Sequence, residues 1–304
     1  MRNVMFSHTR FVYLFIGSVV VVVTLILYGA DVSCWYSPSS TRNYKQRLPQ
    51  CIIIGVRKCG TRALLEFLGV HPDVTIAQDE IHFFNQDDLY YDYGIEWYRQ
   101  RMPYTYDGQV TMEKTPAYFT TREVPERIHS MDPSVRLLVI VRDPVSRLVS
   151  DYAQTLANKL ARNKTCPSFE SMVFESGTGR VKSYFKPVWT GLYHQHLQRW
   201  LAFFSRDQIH IVAGEQLIRD PYQELIKVER FLNLTHRFTT DQFYFNRTRG
   251  FYCMRNLTSG HCLGSSKGRK HPHIDNTLLM KLRDFYRPSN RAFFNITGIT
   301  FDWD

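Results

Sequence analysis

Residues 55–62, Gly-Val-Arg-Lys-Cys-Gly-Thr-Arg, set two glycines, a lysine, a hydroxyl and a second cation between an apolar run and a helical pattern. A strand–loop–helix junction of this composition suits an anion. Gly55 and Gly60 let the backbone approach a ligand closely, and the amides of Cys59 to Arg62 lie at the positive end of a helix. Thr61 is placed to cap that helix and to offer its hydroxyl to the same anion, while Lys58 and Arg62 add charge. The order departs from the nucleoside-triphosphatase signature G-x-x-x-x-G-K-[ST], because Lys58 precedes the second glycine. An ordinary turn with solvent-facing basic residues accounts for these letters equally well. A second junction is "VRDPVSRLVSDYAQ", residues 141–154. Here Arg142 leaves an apolar strand, Asp143-Pro144 opens a helix, and Ser150 returns two turns later; an arginine and a hydroxyl can grip a second phosphate. Asp143 as a simple helix cap paired with Arg142 is the competing reading. Two anion grips at two strand ends of one sheet suit a nucleoside with phosphates on both sides.

These loops need a scaffold. Apolar runs at 51–55, 73–77, 109–113, 136–141 and 208–213 read as strands. The first and fourth are continuous Ile/Val/Leu stretches, as in strands buried on both faces of a parallel sheet. Helical patterns span 61–69, 94–101, about 145–160, 192–204 and 222–233; in the fourth, Leu197, Trp200, Leu201 and Phe204 recur at three- and four-residue spacing. The expected fold is α/β, a three-layer sandwich with a mostly parallel sheet. In such sheets ligands bind where loops leave the carboxyl ends of the strands, which selects the loops after 51–55, 109–113 and 136–141.

The 304 residues suffice for one sizeable α/β domain, and a net charge of +10 favours a polyanionic partner. Residues 11–30, "FVYLFIGSVVVVVTLILYGA", carry no charge and are long enough to cross a bilayer; Arg2 and Arg10 before them and Asp31 after them orient the N-terminus to the cytosol. The expected layout is a cytosolic tail at 1–10, a transmembrane signal anchor at 11–30, a luminal stem at 31–48 and a catalytic domain at 49–304. A luminal address agrees with five N-x-T sequons among eleven asparagines, at Asn163, Asn233, Asn246, Asn256 and Asn295. It also agrees with Cys253 and Cys262, close enough to close a short loop. That address removes nucleic acid as the partner. No cysteine or histidine spacing suits zinc, so no metal is expected.

The segments "IIIGVRKCGTRALLEFLGVHPDV", "EIHFF", "MEKTPAYF", "VPERI", "RDPVSRLVSDY", "GFYC" and "CLGSSKGRKHP", in this order from about residue 48 to the terminal "TFDWD", resemble the heparan sulfate glucosamine 3-O-sulfotransferases, nearest the smaller, antithrombin-type members. The resemblance implies a P-loop-like sulfotransferase fold in the Golgi membrane, single-pass type II. It implies transfer of a sulfuryl group from 3′-phosphoadenosine 5′-phosphosulfate (PAPS) to the 3-OH of glucosamine in heparan sulfate, leaving the bisphosphate PAP, without a metal. By family position, Lys58, Cys59, Gly60, Thr61 and Arg62 hold the 5′-phosphosulfate, and Arg142 with Ser150 the 3′-phosphate. Tyr252 and Lys267, Gly268, Arg269, Lys270 and His271 close over the nucleotide, on a loop fixed by a Cys253–Cys262 bridge. Glu80 matches the general base, His82 assists on the same side if its segment is extended, Lys58 meets the departing phosphate and Lys114 the transferring group. Arg57, Arg62, Lys114, Gln154 and Arg269 line the polysaccharide cleft. A different carbohydrate sulfotransferase, N- or O-directed, or a weakly active heparan sulfate-binding relative, shares these letters.

Two positions depart from the family. Cys59 replaces a glycine of K-G-G-T-R. A Cβ there is strained if φ is positive, and a thiol beside Lys58 reads as exposed, with a lowered pKa. Asn85 replaces the aspartate of H-F-F-D, removing a charge next to Glu80 and His82.

Overall fold

The protein, described by a computed structural model over residues 43–255, 260–264 and 268–303, is built on five parallel strands. Strands are numbered along the chain. After β1 (Lys45–Gln46) come β2 (Cys51–Gly55), β3 (Val74–Ile76), β4 (Tyr104–Thr105), β5 (Val110–Lys114), β6 (Arg136–Val141), β7 (Ile209–Ala213), β8 (Phe243–Asn246), β9 (Phe251–Arg255) and β10 (Gly260–His261). The central sheet has the order β3-β5-β2-β6-β7. Every residue of β2 is buried, as are all but the first of β6. Both faces of these strands are therefore covered, which is why they are written in uninterrupted Ile, Leu and Val. Fully burying each such side chain contributes about 1.5–3 kcal/mol.

The helices are α1 (Thr61–Leu68), α2 (Gly94–Arg99), α3 (Val124–Met131), α4 (Pro144–Leu160), α5 (Phe169–Val173), α6 (Lys186–Trp189), α7 (Tyr193–Leu201), α8 (Gly214–Arg219), α9 (Pro221–Leu232) and α10 (Asn276–Thr297). The five expected strands and five expected helices all form, with ends shifted by a few residues. In α7 the apolar stripe buries Leu197 and Trp200, and the Trp200 indole donates to the Phe119 carbonyl (3.1 Å). A second apolar cluster, Leu148, Phe169, Val188, Leu282 and Tyr286 among others, joins α4, α5, α6 and α10.

Three parts of the fold differ from the sequence reading. Residues 45–48, taken as the end of the stem, are docked on the domain. β1 pairs antiparallel with β4, and the Gln46 side-chain amide donates to the carbonyls of Gln100 (2.7 Å) and Met102 (2.8 Å). Helix α10 is absent from the expected helices and carries Pro288 inside it; Asp275 caps it through the Thr277 amide (2.7 Å), and Leu282, Tyr286 and Phe293 supply its buried face. The antiparallel sheet β10-β9-β8 lies outside the strands expected from sequence, although β8 and β9 are short aromatic runs. It brings the sulfur of Cys253 to bonding distance of Cys262 (2.06 Å). The expected tail at 1–10, the anchor at 11–30, residues 31–42 of the stem, Asn256 and Lys267 lie outside the described residues. Among the described residues no helix is long and apolar enough to cross a membrane.

Strand order reverses at β2. The chain runs from β2 out to β3 and β5 on one side, then crosses to β6 and β7 on the other. The loops after β2 and β6 therefore diverge from neighbouring strands at the topological switch point. Gly214, where β7 turns into α8, packs against both. A Cβ there would stand 2.6 Å from the Val141 carbonyl oxygen and 2.9 Å from that of Cys59. We expect Gly214→Ala to lower stability by about 1–3 kcal/mol, since neither backbone atom can move aside; the midpoint of thermal unfolding checks this, and an unchanged midpoint would show that the turn is free to shift.

Candidate active site

A cleft of about 890 Å³ opens over the carboxyl ends of β2, β5 and β6. Nearly all of the residues assigned by sequence line it: Arg57 to Arg62, Glu80, His82, Lys114, Arg142, Ser150, Gln154, Tyr252, Gly268, Arg269 and His271. Lys270 is exposed and does not face the cleft.

At the first grip, the left-handed backbone falls on Lys58 (φ 73°) and Gly60 (φ 112°), and Cys59 is not among the positive-φ residues. The cysteine is therefore accommodated without the strain feared for it. Gly60 precedes α1 and no side chain caps the helix, so Thr61 is its first residue and not its cap. The first-turn amides of α1 lack intrahelical acceptors, which is the arrangement that receives an anion. Arg62 lines the cleft, but its guanidinium is engaged by Glu66 (2.6 Å), by the Gln78 carbonyl and by the Gln78 side chain (3.2 Å). Its role is to tie α1 to the loop carrying Glu80 at least as much as to meet a ligand.

At the second grip, Asp143 caps α4 through the amides of Val145 (3.1 Å) and Ser146 (3.0 Å), with Pro144 as the first helical residue. Asp143 is thus occupied by backbone, and the Arg142 Nε is buried with no hydrogen-bond partner among the described residues. A buried donor left open costs free energy unless a ligand takes it, so Arg142 fits a phosphate in the cleft. His271 stands nearby; its desolvation, with Arg142 and Lys58 close to it, holds its imidazole below the usual value.

The two grips are latched together. Cys59 is buried, its sulfur 3.6 Å from the Tyr193 hydroxyl, which donates to the Arg142 carbonyl (2.7 Å). The expectation of an exposed, acidified thiol is overturned: burial pushes the Cys59 pKa up to about 12, outweighing nearby Arg147 and Arg142. A protonated thiol can donate to the phenol oxygen and complete a chain from the first loop to the second.

The third strand end carries Lys114 and, across the cleft floor, Glu80. The Lys114 ammonium, 4% exposed, donates to Glu80 Oε1. Glu80 Oε2 lies 3.5 Å from His82 Nε2. His82 reaches it by a turn and not along an extended strand: its backbone is left-handed (φ 59°) and leads into a 3-10 turn at 83–85. Asn85 Oδ1 is 3.1 Å from His82 Nδ1. An amide can turn either its oxygen or its NH2 toward that nitrogen, so Asn85 holds the ring without fixing its tautomer as an aspartate would.

Gln154 and Arg269, assigned separately to the polysaccharide, meet each other (2.6 Å), and Gln154 also donates to Asn158 (2.7 Å). Arg57, largely exposed, pairs with Asp151 (3.1 Å). Sequence reasoning missed Asn158, Thr155, Lys186, Arg249 and Phe251 in the lining. The four-residue steps Ser150, Gln154, Asn158 along α4 were the available signal for the first; Lys186 and Arg249 arrive by tertiary folding and carry no local mark.

With this geometry in hand, comparison with known proteins decides the family. The sulfotransferase domain family matches residues 48–294. Heparan sulfate glucosamine 3-O-sulfotransferase 5 of Mus musculus is 52% identical over 259 residues, covering 85% of this chain and 75% of the relative; heparan sulfate glucosamine 3-O-sulfotransferase 6 of Homo sapiens is 48% identical over 262 residues, with the same coverage. The chain belongs to the heparan sulfate glucosamine 3-O-sulfotransferase family. Its fold is that of the sulfotransferase from Alicyclobacillus acidocaldarius, with a TM-score of 0.61 at 20% identity over 84% of this chain and 98% of that one. The α/β architecture expected from the sequence is thus the family's, while the names of these relatives do not speak to an antithrombin-type subgroup.

Two outcomes follow from the buried groups. In the native protein, alkylation by iodoacetamide, mapped by mass spectrometry, should be at least roughly a hundredfold slower at Cys59 than at the partly exposed Cys166; comparable rates would mean that the thiol is reachable. Glu113, beside Lys114 on β5 but turned into the core, accepts hydrogen bonds from Tyr98 (2.9 Å) and Thr115 (2.9 Å), and burial raises its pKa to about 7. Between the unfolded value of 4.5 and pH 7 the folded chain holds a proton that the unfolded chain releases, so this group removes stability as pH rises through that window. Relative to the parent, Glu113→Gln should gain about 1–3 kcal/mol between pH 4.5 and 7 and level off above it; chemical denaturation at several pH values reads this, and a flat difference would place the ionisation elsewhere.

Proposed function

We propose that this chain transfers a sulfuryl group from PAPS to the 3-OH of glucosamine in heparan sulfate, with Glu80 as general base. The observation that carries the reading is Glu80 itself, held between Lys114 and His82 in the same cleft as the two anion loops. The relatives named for this reaction share about half of its residues.

Donor binding falls to the first turn of α1 with Lys58, and to Arg142 at the neighbouring strand end with Ser150 of α4. Tyr252, Gly268, Arg269 and His271 cover the nucleotide. When bound, PAPS supplies the activated sulfuryl group and a bisphosphate leaving group. The rest is done by the chain. Glu80 Oε1 is taken by Lys114, so Oε2 is the oxygen that accepts the proton of the attacking hydroxyl. As Glu80 is neutralised, the Lys114 ammonium loses its counter-charge and its field turns to the oxygens of the transferring group. Lys58 stabilises charge on the departing phosphate. Arg57, Lys186 and Arg249 give the rest of the cleft the positive lining that a carboxylated and sulfated chain requires.

The compartment is inferred with the function. The uncharged segment 11–30 serves as a type II anchor in the Golgi membrane. Asn163, Asn233 and Asn295 are exposed and open to glycosylation, whereas Asn246 is half-buried with its amide against the Cys262 sulfur (3.6 Å). A Cys253–Cys262 disulfide suits that oxidising lumen.

Glu80→Gln should lower transfer from labelled PAPS by about 10²–10⁴-fold while PAP binding, measured by calorimetry, stays within twofold. Disaccharide mass spectrometry of the wild-type product should find the new sulfate on the glucosamine 3-oxygen. A product sulfated only on nitrogen or another oxygen would assign a different acceptor position, and full turnover in the glutamine variant would remove Glu80 from the mechanism.

A further inference from the structure

A second groove, of about 440 Å³, shares Glu80 with the main cleft and no other residue. Gln78 and Ile81 form one wall, Trp97, Arg101 and Pro103 the other. Both walls are held from behind. Gln78 is pinned by Arg62 through its carbonyl and its side chain, and Trp97 stacks on buried Phe83 (centroids 6.1 Å, 26°). The Arg101 guanidinium lies 4.4 Å from the centre of the Trp97 ring. Among the described residues it is the only cation of the lining, and no carboxylate pairs with it. Asp79 also lines the groove, so its charge is not uniformly positive.

This arrangement suits one ring carrying one anion. A guanidinium braced on an aromatic face keeps its planar fork presented to a carboxylate. Asp79 repels further charge on the same ring, which sets the groove apart from the broadly basic main cleft. The groove ends at the general base, so whatever lies in it adjoins the reacting sugar. In a polymer that alternates glucosamine with uronic acid, that neighbour is a uronate.

We propose that the groove is an acceptor subsite for the uronic acid next to the reacting glucosamine, with its carboxylate on Arg101. The proposal rests on the function given above. It is tested with two hexasaccharide acceptors, one with intact uronates and one whose uronate carboxyls are reduced to hydroxymethyl groups. Arg101→Gln should raise KM for the intact acceptor about tenfold, leaving kcat, PAP affinity and KM for the reduced acceptor unchanged; Arg101→Lys should recover part of the loss. Because other uronates meet other cations, the informative quantity is the change in the ratio of the two KM values, which isolates the pair. Equal effects on both acceptors, or no effect on either, would overturn the subsite. Should the wild type transfer nothing, the functional reading fails separately, and calorimetry of the same oligosaccharides on the PAP-loaded protein decides the groove: a preference for the intact one that vanishes in Arg101→Gln supports it, and an undiminished or absent preference refutes it.

Discussion

The site depends on a cation that folding has taken out of water. Lys114 ends an interior strand with its ammonium almost wholly enclosed, and burying such a charge costs several kcal/mol unless a partner of opposite sign meets it. Glu80 is that partner. Ala77, Phe83 and Phe84 on either side of it are buried and anchor the loop, and the carboxylate is turned to the lysine that requires it. Strand alternation makes the rest follow: with Lys114 turned to the cleft, Glu113 must turn inward, where desolvation keeps its proton on to about neutral pH. The cation that meets Glu80 and a carboxylic acid that packs inside thus come from one strand end.

The anion loops are a second constraint, set by topology. Only at the reversal of strand order do two neighbouring strands send their loops apart; after β2 the uncapped first turn of α1 opens to the cleft, and after β6 Asp143 takes the start of α4 while Arg142 faces the cleft. What keeps them in register is local chemistry. The thiol of Cys59, the hydroxyl of Tyr193 and the carbonyl of Arg142 form one buried chain, and Gly214 packs close against the backbone of both. The cysteine that looked like a blemish in a glycine-rich loop is a fitted part of the floor, possible because the positive φ angles fall on the residues flanking it.

How far the sequence revealed this follows from the range of each signal. The continuous apolar runs at 51–55 and 136–141 announced buried parallel strands, and the rule that ligands gather at their carboxyl ends then chose loops that line the cleft. Motif resemblance added Glu80, His82 and Lys114, which spacing alone left ambiguous. The failures share one cause, dependence on distant partners. Whether Cys59 is exposed is settled by Tyr193 and by packing from far along the chain. Helix α10 carries Pro288 in its interior, and a proline is tolerated there only when neighbours fill the gap it leaves. The end of the stem could not be recognised as domain without seeing that β4, some 60 residues later, supplies its pairing partner. Arg62 read as a ligand contact because nothing local shows that Gln78 and Glu66 already hold it.

Arg147 carries a last consequence. It is wholly buried beneath the anion loops, within electrostatic reach of Cys59 and Tyr193, and its carboxylate neighbour Asp151 is divided between it and the exposed Arg57. A charge so enclosed lies beyond the reach of mobile counter-ions, whereas the outer arginines and lysines of the cleft are screened within about 8 Å at physiological ionic strength. Concentrated electrolyte should therefore loosen whatever the outer arginines and lysines hold, and leave the enclosed Arg147–Asp151 pair and the floor above it in place.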